Sequence, residues 1–584
     1  MVTARLPQGW QLTRAACFSL ILVCLLVTVS PGREEGTVPD PLKNKYSTQQ
    51  SSFQPNVLRT TLDGQPLIRI GLLEGYEKID FRVKGQFRIT KLDGSVILSN
   101  HNSDLKWRSK PEGTVQTARF TYSVLAEVGS NELEAQQLCR KYEQKGVAAT
   151  LQKIGGSIVV NNREVGNNTR YRILIGSYSR EHDAIKAMSH VETTTPRVVR
   201  SRLAGTIGRI EVYDSEAIVT EIIDLGFRIE PEENDTETTL FAVKIGSGFQ
   251  WEKEEDRTYR GAIEIRFDNE GKMEAINELS LDDYIEGVLP SEMPSDFPLE
   301  ALKAQAVAAR SETLSKVGTK HINDHYHLCA HVHCQVYSGV TRRIESASRA
   351  VQETRGELMR WQKELVEASY CSNSGGHTEN RENVWAAPPV PYLTGKVDSD
   401  DSYRKKFKLD LRREEDARSW IDSKPTVYSN PAGITQVASL MRLAKNFRWE
   451  VTISRRDLEE IMRKKLGEDI GTVYDIVPIV RGVSGRIIEI EFLGSRRNLR
   501  VKKELAIRRA LSSTALQSSC FYVTAEVDRD GVPTEFTFKG AGFGHGVGMC
   551  QTGAAVMALK KKTYLEILKQ YYPGAVVERL FDGR

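Results

Sequence analysis

The chain has 584 residues, too many for a single hydrophobic core, so we expect two or more domains. Its hydrophobic fraction of 40% and charged fraction of 27% are those of an ordinary globular protein. These values exclude a wholly disordered chain and a membrane protein with many spans. The formal net charge is only +4 and basic residues are interleaved with acidic ones, so we expect no nucleic-acid partner.

The N-terminal residues have the pattern of an export signal. Two arginines precede an apolar, uncharged run over residues 15–29, an order that favours a secretory signal over a buried core helix. Pro31 disfavours cleavage just before it, so residues 1–32 are either a cleaved signal peptide or a retained membrane anchor. Residues 33–54 are polar and aperiodic and are predicted to be a linker. We therefore expect an exported protein of the cell envelope, in the periplasm or cell wall, attached to the inner membrane if the segment is retained.

Two strand-rich segments follow. Apolar and polar residues alternate over 67–98, so residues 55–110 are predicted to be rich in strands. Between 118 and 200, a strand ending in Gly-Ser and followed by a helix occurs twice, starting at Tyr122 and Tyr171. Short apolar runs at 147–151 and 158–160 supply further strands. The order β-α-β-β-α-β predicts a ferredoxin-like sheet with two helices. The segment resembles a SPOR domain, a module that binds glycan strands stripped of their peptide stems; the alternative is a generic ferredoxin-like module with another partner.

The next informative stretch contains an isolated carboxylate between prolines. Glu292 follows Pro290 and precedes Pro294, which predicts a stiff turn that holds the side chain in one place. Pro298 then marks the start of a strong helix whose apolar residues share one face and require a core partner.

Histidine and cysteine are concentrated between residues 321 and 334. Half of the histidines of the chain lie here, together with Cys329 and Cys334. Thiolates and imidazoles are the preferred ligands of zinc. The sequence therefore predicts a metal site, and a Cys329–Cys334 disulfide is the alternative in an oxidising compartment.

Two glycine-rich motifs have the composition of cleft walls, because glycine lets backbone approach a sugar closely. The first motif contains Ser374 and His377, and the second contains His545 and Gln551. These four side chains are candidates to bind sugar hydroxyl and acetamido groups.

Six motifs in order resemble the stage II sporulation protein D (SpoIID) family. They are DYIEGVLPSEMP, PLEALKAQAVAAR, LCAHVHCQVYSG, YCSNSGGHTEN, SGRIIEIEFLG and GFGHGVGMCQTGA. The resemblance covers 67–98 and 241–572, with the SPOR-like segment inserted between, and it implies an α+β fold with a mixed, multi-layer catalytic domain over 240–573. The family commonly has serine at the position of Cys550.

The resemblance implies a lytic transglycosylase, which cleaves the bond from N-acetylmuramic acid to N-acetylglucosamine in peptidoglycan and leaves 1,6-anhydro ends. Glu292 occupies the position of the family's catalytic acid. Ser291 and Arg310 also fall in matched motifs and join the candidate substrate-binding residues.

For the metal, some relatives use two cysteines and an upstream histidine. His321, Cys329 and Cys334 fit that set, with His325 as a competitor. The expected metal is one structural zinc ion.

The mechanism needs one carboxylic acid with a raised pKa, because the attacking hydroxyl belongs to the substrate. Met293, Phe297 and Tyr284 could form apolar walls around it. The leading alternative is a non-catalytic wall-binding protein, since the family includes amidase enhancers, and a cell-wall amidase is then an expected partner. A metal-dependent hydrolase is weaker, because the cluster lacks a neighbouring acid in a His-Glu-x-x-His arrangement.

Overall fold

A computed structural model describes residues 58–579 except 103, 192–195, 217–219, 247–251 and 386. The predicted export signal and linker lie outside these residues. Among the described residues, no helix is long and apolar enough to cross a membrane. The fold is mixed α+β, as predicted.

The first strands confirm the alternation seen in the sequence. They are β1 (Leu67–Tyr76), β2 (Ile79–Lys84), β3 (Phe87–Lys91), β4 (Val96–His101) and β5 (Lys106–Gln116). In β2 buried and more accessible residues alternate, which is the pattern of a strand with one face on the core.

The segment with the repeated pattern forms a separate sheet with two helices. Its elements are β6 (Arg119–Gly129), α1 (Glu132–Gln144), β7 (Ala149–Ile154), β8 (Ser157–Val160), β9 (Arg163–Asn167), β10 (Arg170–Tyr178), α2 (Glu181–Met188) and β11 (Arg197–Ala204). Four of the strands form an antiparallel sheet in the order β11-β6-β10-β7, and both helices contribute to its core. The predicted strand at 158–160 lies elsewhere, because β8 and β9 form a hairpin that joins another sheet. Asn168 ties this hairpin to the rest of the chain by donating to the carbonyls of Ser315 and Val317.

The chain then returns to the sheets that it began. The next strands are β12 (Ile207–Asp214), β13 (Thr220–Asp224), β14 (Gly226–Pro231), β15 (Glu237–Ile245), β16 (Lys253–Tyr259), β17 (Ala262–Phe267) and β18 (Met273–Ser280). They complete a six-stranded sheet in the order β13-β12-β5-β2-β15-β16. They also contribute to a seven-stranded sheet, β19-β1-β18-β17-β14-β3-β4, in which β19 (Leu328–Cys329) is the edge strand. Phe81 of the first sheet and Phe227 of the second are both buried with ring centroids 6.3 Å apart, so the two sheets share a core.

A buried helix lies at the centre of the next region. The elements are α3 (Leu281–Glu292), α4 (Leu299–Lys316), α5 (Glu345–Glu353), β20 (Glu357–Trp361), β21 (Glu364–Leu365), β22 (Tyr370–Cys371) and α6 (Arg381–Val384). Helix α4 begins after Pro298, as predicted. It is buried on nearly all sides rather than on one face, because its many alanines let neighbouring helices and strands pack closely around it.

The C-terminal part adds two small sheets and several helices. Its elements are α7 (Asp401–Lys406), α8 (Glu414–Asp422), α9 (Ala438–Leu443), a 3₁₀ helix (Ala444–Asn446), β23 (Arg448–Ser454), α10 (Arg455–Leu466), β24 (Val473–Arg481), β25 (Ile487–Gly494), β26 (Leu499–Lys502), α11 (Glu504–Ala510), β27 (Phe521–Val527), β28 (Pro533–Ala541), β29 (Met549–Cys550), α12 (Gln551–Leu559), α13 (Tyr564–Tyr571) and β30 (Val576–Arg579). The sheets β23-β28-β27 and β24-β25-β26 share a second core with α10 and α11. Strands β22 and β29 pair in parallel and bring two of the predicted motifs together.

Candidate active site and candidate metal centre

Glu292 is the last residue of α3, so the predicted stiff turn is wrong at this point. Pro290 lies inside the helix, and Met293 is the C-cap residue that follows it. The Glu292 carboxylate accepts a hydrogen bond from the Val336 N–H at 2.9 Å, and the Gln551 side chain also donates to it. Burial raises the pKa of Glu292, against the lowering effect of these two bonds and of Lys316. The site therefore combines a carboxyl group whose pKa is raised with two hydrogen-bond donors that orient it.

Two tyrosines lie close to this carboxyl group. Tyr284 is buried, and burial followed by nearby groups that include Glu292 raises its pKa well above the ordinary value. The pKa of Tyr370 is raised in the same way. Met293 and Phe297 are both buried in the main core. The aromatic side chains near Glu292 therefore come from two separate motifs.

Three glutamines organise the floor of the site. Gln551 begins α12 and donates to Gln305 of α4 at 3.3 Å as well as to Glu292. Gln335 accepts from the Tyr370 hydroxyl and donates to Thr313 at 2.9 Å. Sequence reasoning found Gln551 but missed Gln305 and Gln335. The sequence signal for these two glutamines was that each is an uncharged polar residue inside an otherwise apolar motif.

His545 is predicted to bind sugar groups through hydrogen bonds. In the structure its ring nitrogens bond within the protein, and the ring forms a flat wall of the site. Its Nδ1 accepts from the Val547 N–H at 3.0 Å, and the ring also bonds to the Tyr370 backbone. Burial lowers the pKa of His545 to about 3, so the ring is neutral and both nitrogens are occupied. Trp385, which is 38% exposed, lies against it with ring centroids 4.8 Å apart. Together they present aromatic surface to solvent.

Ser374 and His377 are interior residues in the structure. Ser374 is 1% exposed and donates to Asp398 at 2.9 Å. His377 donates to the Thr378 carbonyl at 2.7 Å, and burial lowers its pKa to about 4. Cys550 accepts from the backbone N–H groups of Ser374 and Gly553, so it caps α12. These residues hold the cleft wall in place without facing a ligand.

Ser291 and Arg310 have structural environments that the motifs did not indicate. The Ser291 hydroxyl lies 2.7 Å from the Ser338 hydroxyl and also bonds to the Gly287 carbonyl. Arg310 is fully buried on α4, and its guanidinium donates to Asp282 at 2.9 Å and to two backbone carbonyls. Arg310 therefore joins helices in the core and does not reach the cleft.

Four side chains between 321 and 334 form the candidate metal centre. The ligand atoms of His321, Cys329, His333 and Cys334 all lie within 4.8 Å of one another. Two sulfur and two nitrogen donors are a common tetrahedral zinc set. His333 is the residue that sequence reasoning missed.

Both cysteines of this cluster are free thiols, which favours a metal site over a disulfide. A hydrogen bond from Cys329 holds the pKa of Cys334 well below its ordinary value, against burial, and bonds from His321 and His333 add to this effect. Asp324 contacts the His321 Nδ1 at 2.8 Å and so orients its ring.

His325 is not part of the cluster. It contacts Glu274 at 2.6 Å and Arg202 of β11 at 3.0 Å. Because arginine can only donate, the His325 Nε2 accepts and its Nδ1–H donates to Glu274. His325, the competitor to His321, therefore links β11 and β18 to the loop at 321–334, which we call the metal loop.

Parts of the chain are similar to known proteins and protein families. The stage II sporulation protein family matches residues 269–361, and a domain of unknown function matches residues 379–548. The amidase enhancer of Bacillus subtilis is 31% identical over 300 residues, which are 50% of this chain and 40% of that protein. Stage II sporulation protein D of the same organism is 27% identical over 318 residues, 52% of this chain and 76% of that protein. The chain is therefore similar, over about half of its length, to proteins of the SpoIID family.

An uncharacterized protein of Brachyspira hyodysenteriae shares more of the chain, with 28% identity over 401 residues, 68% of this chain and 85% of that protein. The SpoIID match contains Glu292 and the whole candidate metal centre, while His545 lies in the domain of unknown function. The site of this SpoIID homologue is therefore built from both regions. Since the chain spans 40% of the amidase enhancer, only part of that protein is represented here. The similarity to sporulation and cell-wall proteins gives the chain a role related to the cell envelope.

Proposed function

We propose that the chain is a lytic transglycosylase that cleaves peptidoglycan between N-acetylmuramic acid and N-acetylglucosamine. The observation that carries this proposal is the setting of Glu292. Its carboxyl group is partly buried, has a raised pKa and is oriented by Val336 and Gln551. A carboxylic acid that stays protonated near neutral pH can give its proton to the leaving glycosidic oxygen.

In the proposed reaction Glu292 acts twice. Its acid form protonates the oxygen that leaves with N-acetylglucosamine, and the resulting carboxylate then accepts the proton of the muramic O6 hydroxyl as that oxygen attacks C1. The product carries a 1,6-anhydro ring and no water is consumed. Among the described residues, no second carboxylate is among the groups that shift the Glu292 pKa, and a mechanism with an internal nucleophile needs none.

The surrounding groups supply binding and exclusion of water. Trp385 is exposed beside His545, and a flat aromatic pair can stack on the apolar face of a sugar ring. The buried Tyr284 and the partly buried Tyr370 keep the dielectric low around the acid.

We also propose that residues 118–200 form a SPOR-like module inserted between the strand-rich part at 55–110 and the catalytic domain at 240–573. The strand order β11-β6-β10-β7 corresponds to 4-1-3-2 within the segment, which supports a ferredoxin-like arrangement. Such a module would tether the enzyme to glycan strands that lack stem peptides and raise their local concentration at Glu292.

The metal proposed for the four-residue cluster is one structural zinc ion held by His321, Cys329, His333 and Cys334. Zinc bound there would stabilise the loop. Val336 follows Cys334 by two residues, so the same loop carries the N–H that orients Glu292. An exported protein of the cell envelope, retained at the membrane if the N-terminal segment is uncleaved, is the setting in which this chemistry is useful.

The second candidate function is that of a non-catalytic amidase enhancer, with a cell-wall amidase as partner. The similarity to a protein of that name, at 31% identity, favours it. Such a protein would bind glycan strands without cleaving them.

Mass spectrometry of products separates the two candidates. The chain and its Glu292→Gln variant are incubated with peptide-free glycan strands. We expect anhydromuramic ends from the unmodified chain and a loss of about 10²–10⁴-fold in rate for the variant, since both proton transfers need the carboxyl group. Intact strands from both proteins, with strand binding retained, would contradict the enzyme and support the enhancer.

A further inference from the structure

Lys316 places a largely buried positive charge at the end of the central helix. It is the last residue of α4, and its side chain is only 13% exposed. Its Nζ pairs with the Glu312 carboxylate one turn earlier at 2.8 Å. Because a buried ammonium group is tolerated only where its donors are paired, its partners fix the position of the side chain. Lys316 is therefore a fixed point that can hold neighbouring backbone.

The second partner of Lys316 lies in the segment Cys334–Val336, which supplies a donor to the acid. The Lys316 Nζ donates to the Cys334 carbonyl at 3.1 Å. Two residues later the Val336 N–H donates to the Glu292 carboxylate at 2.9 Å. The carbonyl that Lys316 holds and the amide that orients the acid therefore belong to adjacent peptide units.

Side-chain contacts hold this segment, because residues 335–338 belong to no helix or strand. Besides Lys316, the Gln335 side chain attaches the segment to α4 by donating to the Ala309 carbonyl at 3.3 Å and to Thr313 at 2.9 Å. Gln335 is neutral and Lys316 is charged, and a hydrogen bond from a charged group is the stronger of the two kinds. A shift of about 1 Å in this segment would take the Val336 N–H out of hydrogen-bonding distance of the acid.

The charge of Lys316 also acts on the acid. Burial raises the pKa of Glu292, and the Lys316 charge lowers it together with the bonds from Val336 and Gln551. The other titratable groups around the acid and its tyrosine neighbours are Tyr284, Tyr370, Glu312, Cys329, Cys334 and His545. Burial raises the pKa of both tyrosines and lowers that of His545, so all three are neutral near pH 7. Among the described residues, Lys316 is therefore the cation that acts on Glu292.

We propose that Lys316 is a positioning residue of this site, which holds the segment Cys334–Val336 so that the Val336 N–H meets the Glu292 carboxyl group. The inference rests on the proposed function. In that reaction Glu292 becomes a carboxylate once it has protonated the leaving oxygen. The Val336 bond and the Lys316 charge both stabilise this carboxylate until it accepts the proton of the O6 hydroxyl.

The test compares three replacements of Lys316 in the full chain. Lys316→Met removes the charge and the donor, Lys316→Gln removes the charge but keeps a donor, and Lys316→Arg keeps both. The matched control is Arg508→Met on α11. Arg508 is buried, pairs with Glu504 four residues earlier at 3.3 Å and donates to the Leu516 carbonyl. It therefore repeats the bonding pattern of Lys316 at a distance from the acid.

The first readout is the rate of cleavage of peptide-free glycan strands across pH, corrected for the folded fraction. Lys316→Met should lower kcat by about 10–100-fold with little change in KM, because the acid is misplaced while the sugar contacts remain. The alkaline limb of kcat/KM should move to higher pH, since loss of the cation raises the pKa of an acid that must be protonated to act.

The other variants separate the charge from the hydrogen bond. Lys316→Gln should show the same shift of the alkaline limb with a smaller loss of kcat. Lys316→Arg should stay close to the unmodified chain in both quantities, and Arg508→Met should change stability alone. Lys316→Gln and Lys316→Arg carry the test if Lys316→Met does not fold.

The second readout needs no turnover. It is the Val336 amide signal in NMR spectra of the chain with isotope-labelled valine, assigned by its loss in Val336→Ile. The amide proton shift should change with pH as Glu292 titrates, and this change should be absent in Glu292→Gln. In Lys316→Met the change should occur at higher pH, and the signal should lie upfield because the hydrogen bond is longer.

The proposal is overturned if Lys316→Met and Lys316→Gln keep the kcat, the alkaline limb and the Val336 signal of the unmodified chain. It is also overturned if Arg508→Met reproduces their pH shift. Failure of the proposed function gives a different result. The unmodified chain would then leave strands intact while the Val336 signal still depends on Lys316, so the positioning contact would stand without the cleavage reaction.

Discussion

A hydrogen bond joins the Gln551 side chain to Glu292. It stabilises the ionised form of the acid, whereas burial stabilises the protonated form. The Gln551 amide donates to the carboxylate and so lowers a pKa that burial has raised. It also orients the carboxyl group. The bond therefore tunes the pH range of the acid while orienting it.

Replacing Gln551 by methionine tests this link. Methionine keeps the length of the side chain but removes the donor, so the pKa of Glu292 should rise further. The alkaline limb of kcat/KM against pH should move to higher pH, because Glu292 must be protonated to act, and the maximal rate should fall because orientation is lost. Gln570→Met, on α13, is the control. An alkaline limb that stays in place or moves to lower pH would rule out this role for Gln551.

At the level of single residues the sequence singled out Glu292 and its partner Gln551, but not its other partner Val336. Glu292 was found because a motif surrounds it. His333 and Gln335 were missed because spacing does not say which of several nearby polar side chains point together. Arg310 was assigned to substrate binding because it falls in a matched motif, although motif membership does not say whether a side chain faces the cleft or the core. In the structure Asp282 neutralises it inside the core.

Helices α3 and α4 are joined by that buried pair. Arg310 is fully buried, and besides Asp282 it satisfies the carbonyls of Glu357 and Val351. Removing the arginine would leave a buried carboxylate and two carbonyls without a donor. The pair therefore contributes to the packing that places Glu292 at the end of α3.

Arg310→Met should lower the free energy of unfolding by about 3–5 kcal/mol, the usual effect of breaking one side of a buried ion pair. Chemical denaturation measures this. Arg349→Met, which breaks an exposed pair with Glu353 on α5, should cost less than about 0.5 kcal/mol. A stable Arg310→Met protein with a raised KM for glycan strands would return Arg310 to the substrate-binding role predicted from sequence.

The metal loop has little regular structure of its own, since only β19 forms a strand between α4 and α5. Its order must come from its ligands and from contacts with neighbouring strands. His333→Ala should reduce bound zinc from one per chain to well below one, measured by mass spectrometry of metal content, and should lower the melting temperature. His325→Ala should keep its zinc. Loss of zinc in the second variant alone would restore His325 as the ligand.

The molecule as a whole is built around sheets whose strand pairing cannot be predicted from local sequence patterns. Alternation predicted the strands of 67–98, and helix signals predicted α4. The sequence did not show that β12 to β14 complete sheets begun more than 100 residues earlier, because pairing between distant strands leaves no local pattern. For the same reason the strand predicted at 158–160 was assigned to the wrong sheet.

The seven-stranded sheet carries a buried network of charges across its strands. Arg69 and Arg228 each bond to Glu264 and Glu278, and all four are buried. Glu274 on β18 bonds to His325, which is held by Arg202 of β11. The network thus connects the main sheet to the metal loop and to the four-stranded sheet.

Two carboxylates of this network should give the stability of the molecule opposite dependences on pH. Burial would raise the pKa of Glu278, but Arg228 and Arg69 overcome it and lower the pKa to about 2. The stability from Glu278 is therefore present above the unfolded value of about 4.3 and is lost as pH falls toward 2. Burial raises the pKa of Glu274 well above its ordinary value, so its contribution declines as pH rises.

Glu278→Gln and Glu274→Gln separate these contributions. Glu278→Gln should be strongly destabilised at pH 7, by about 3–5 kcal/mol, and should lose less further stability than the unmodified chain between pH 5 and pH 2. Glu274→Gln should instead gain stability relative to the unmodified chain as pH rises from 5 to 8, because an amide has no charge to bury. Urea unfolding at four or five pH values measures both. If the two variants changed stability in the same direction at pH 8, the opposite pKa shifts of Glu278 and Glu274 would not control how the stability of the sheet depends on pH. The arginines would then be stabilising the fold through packing alone.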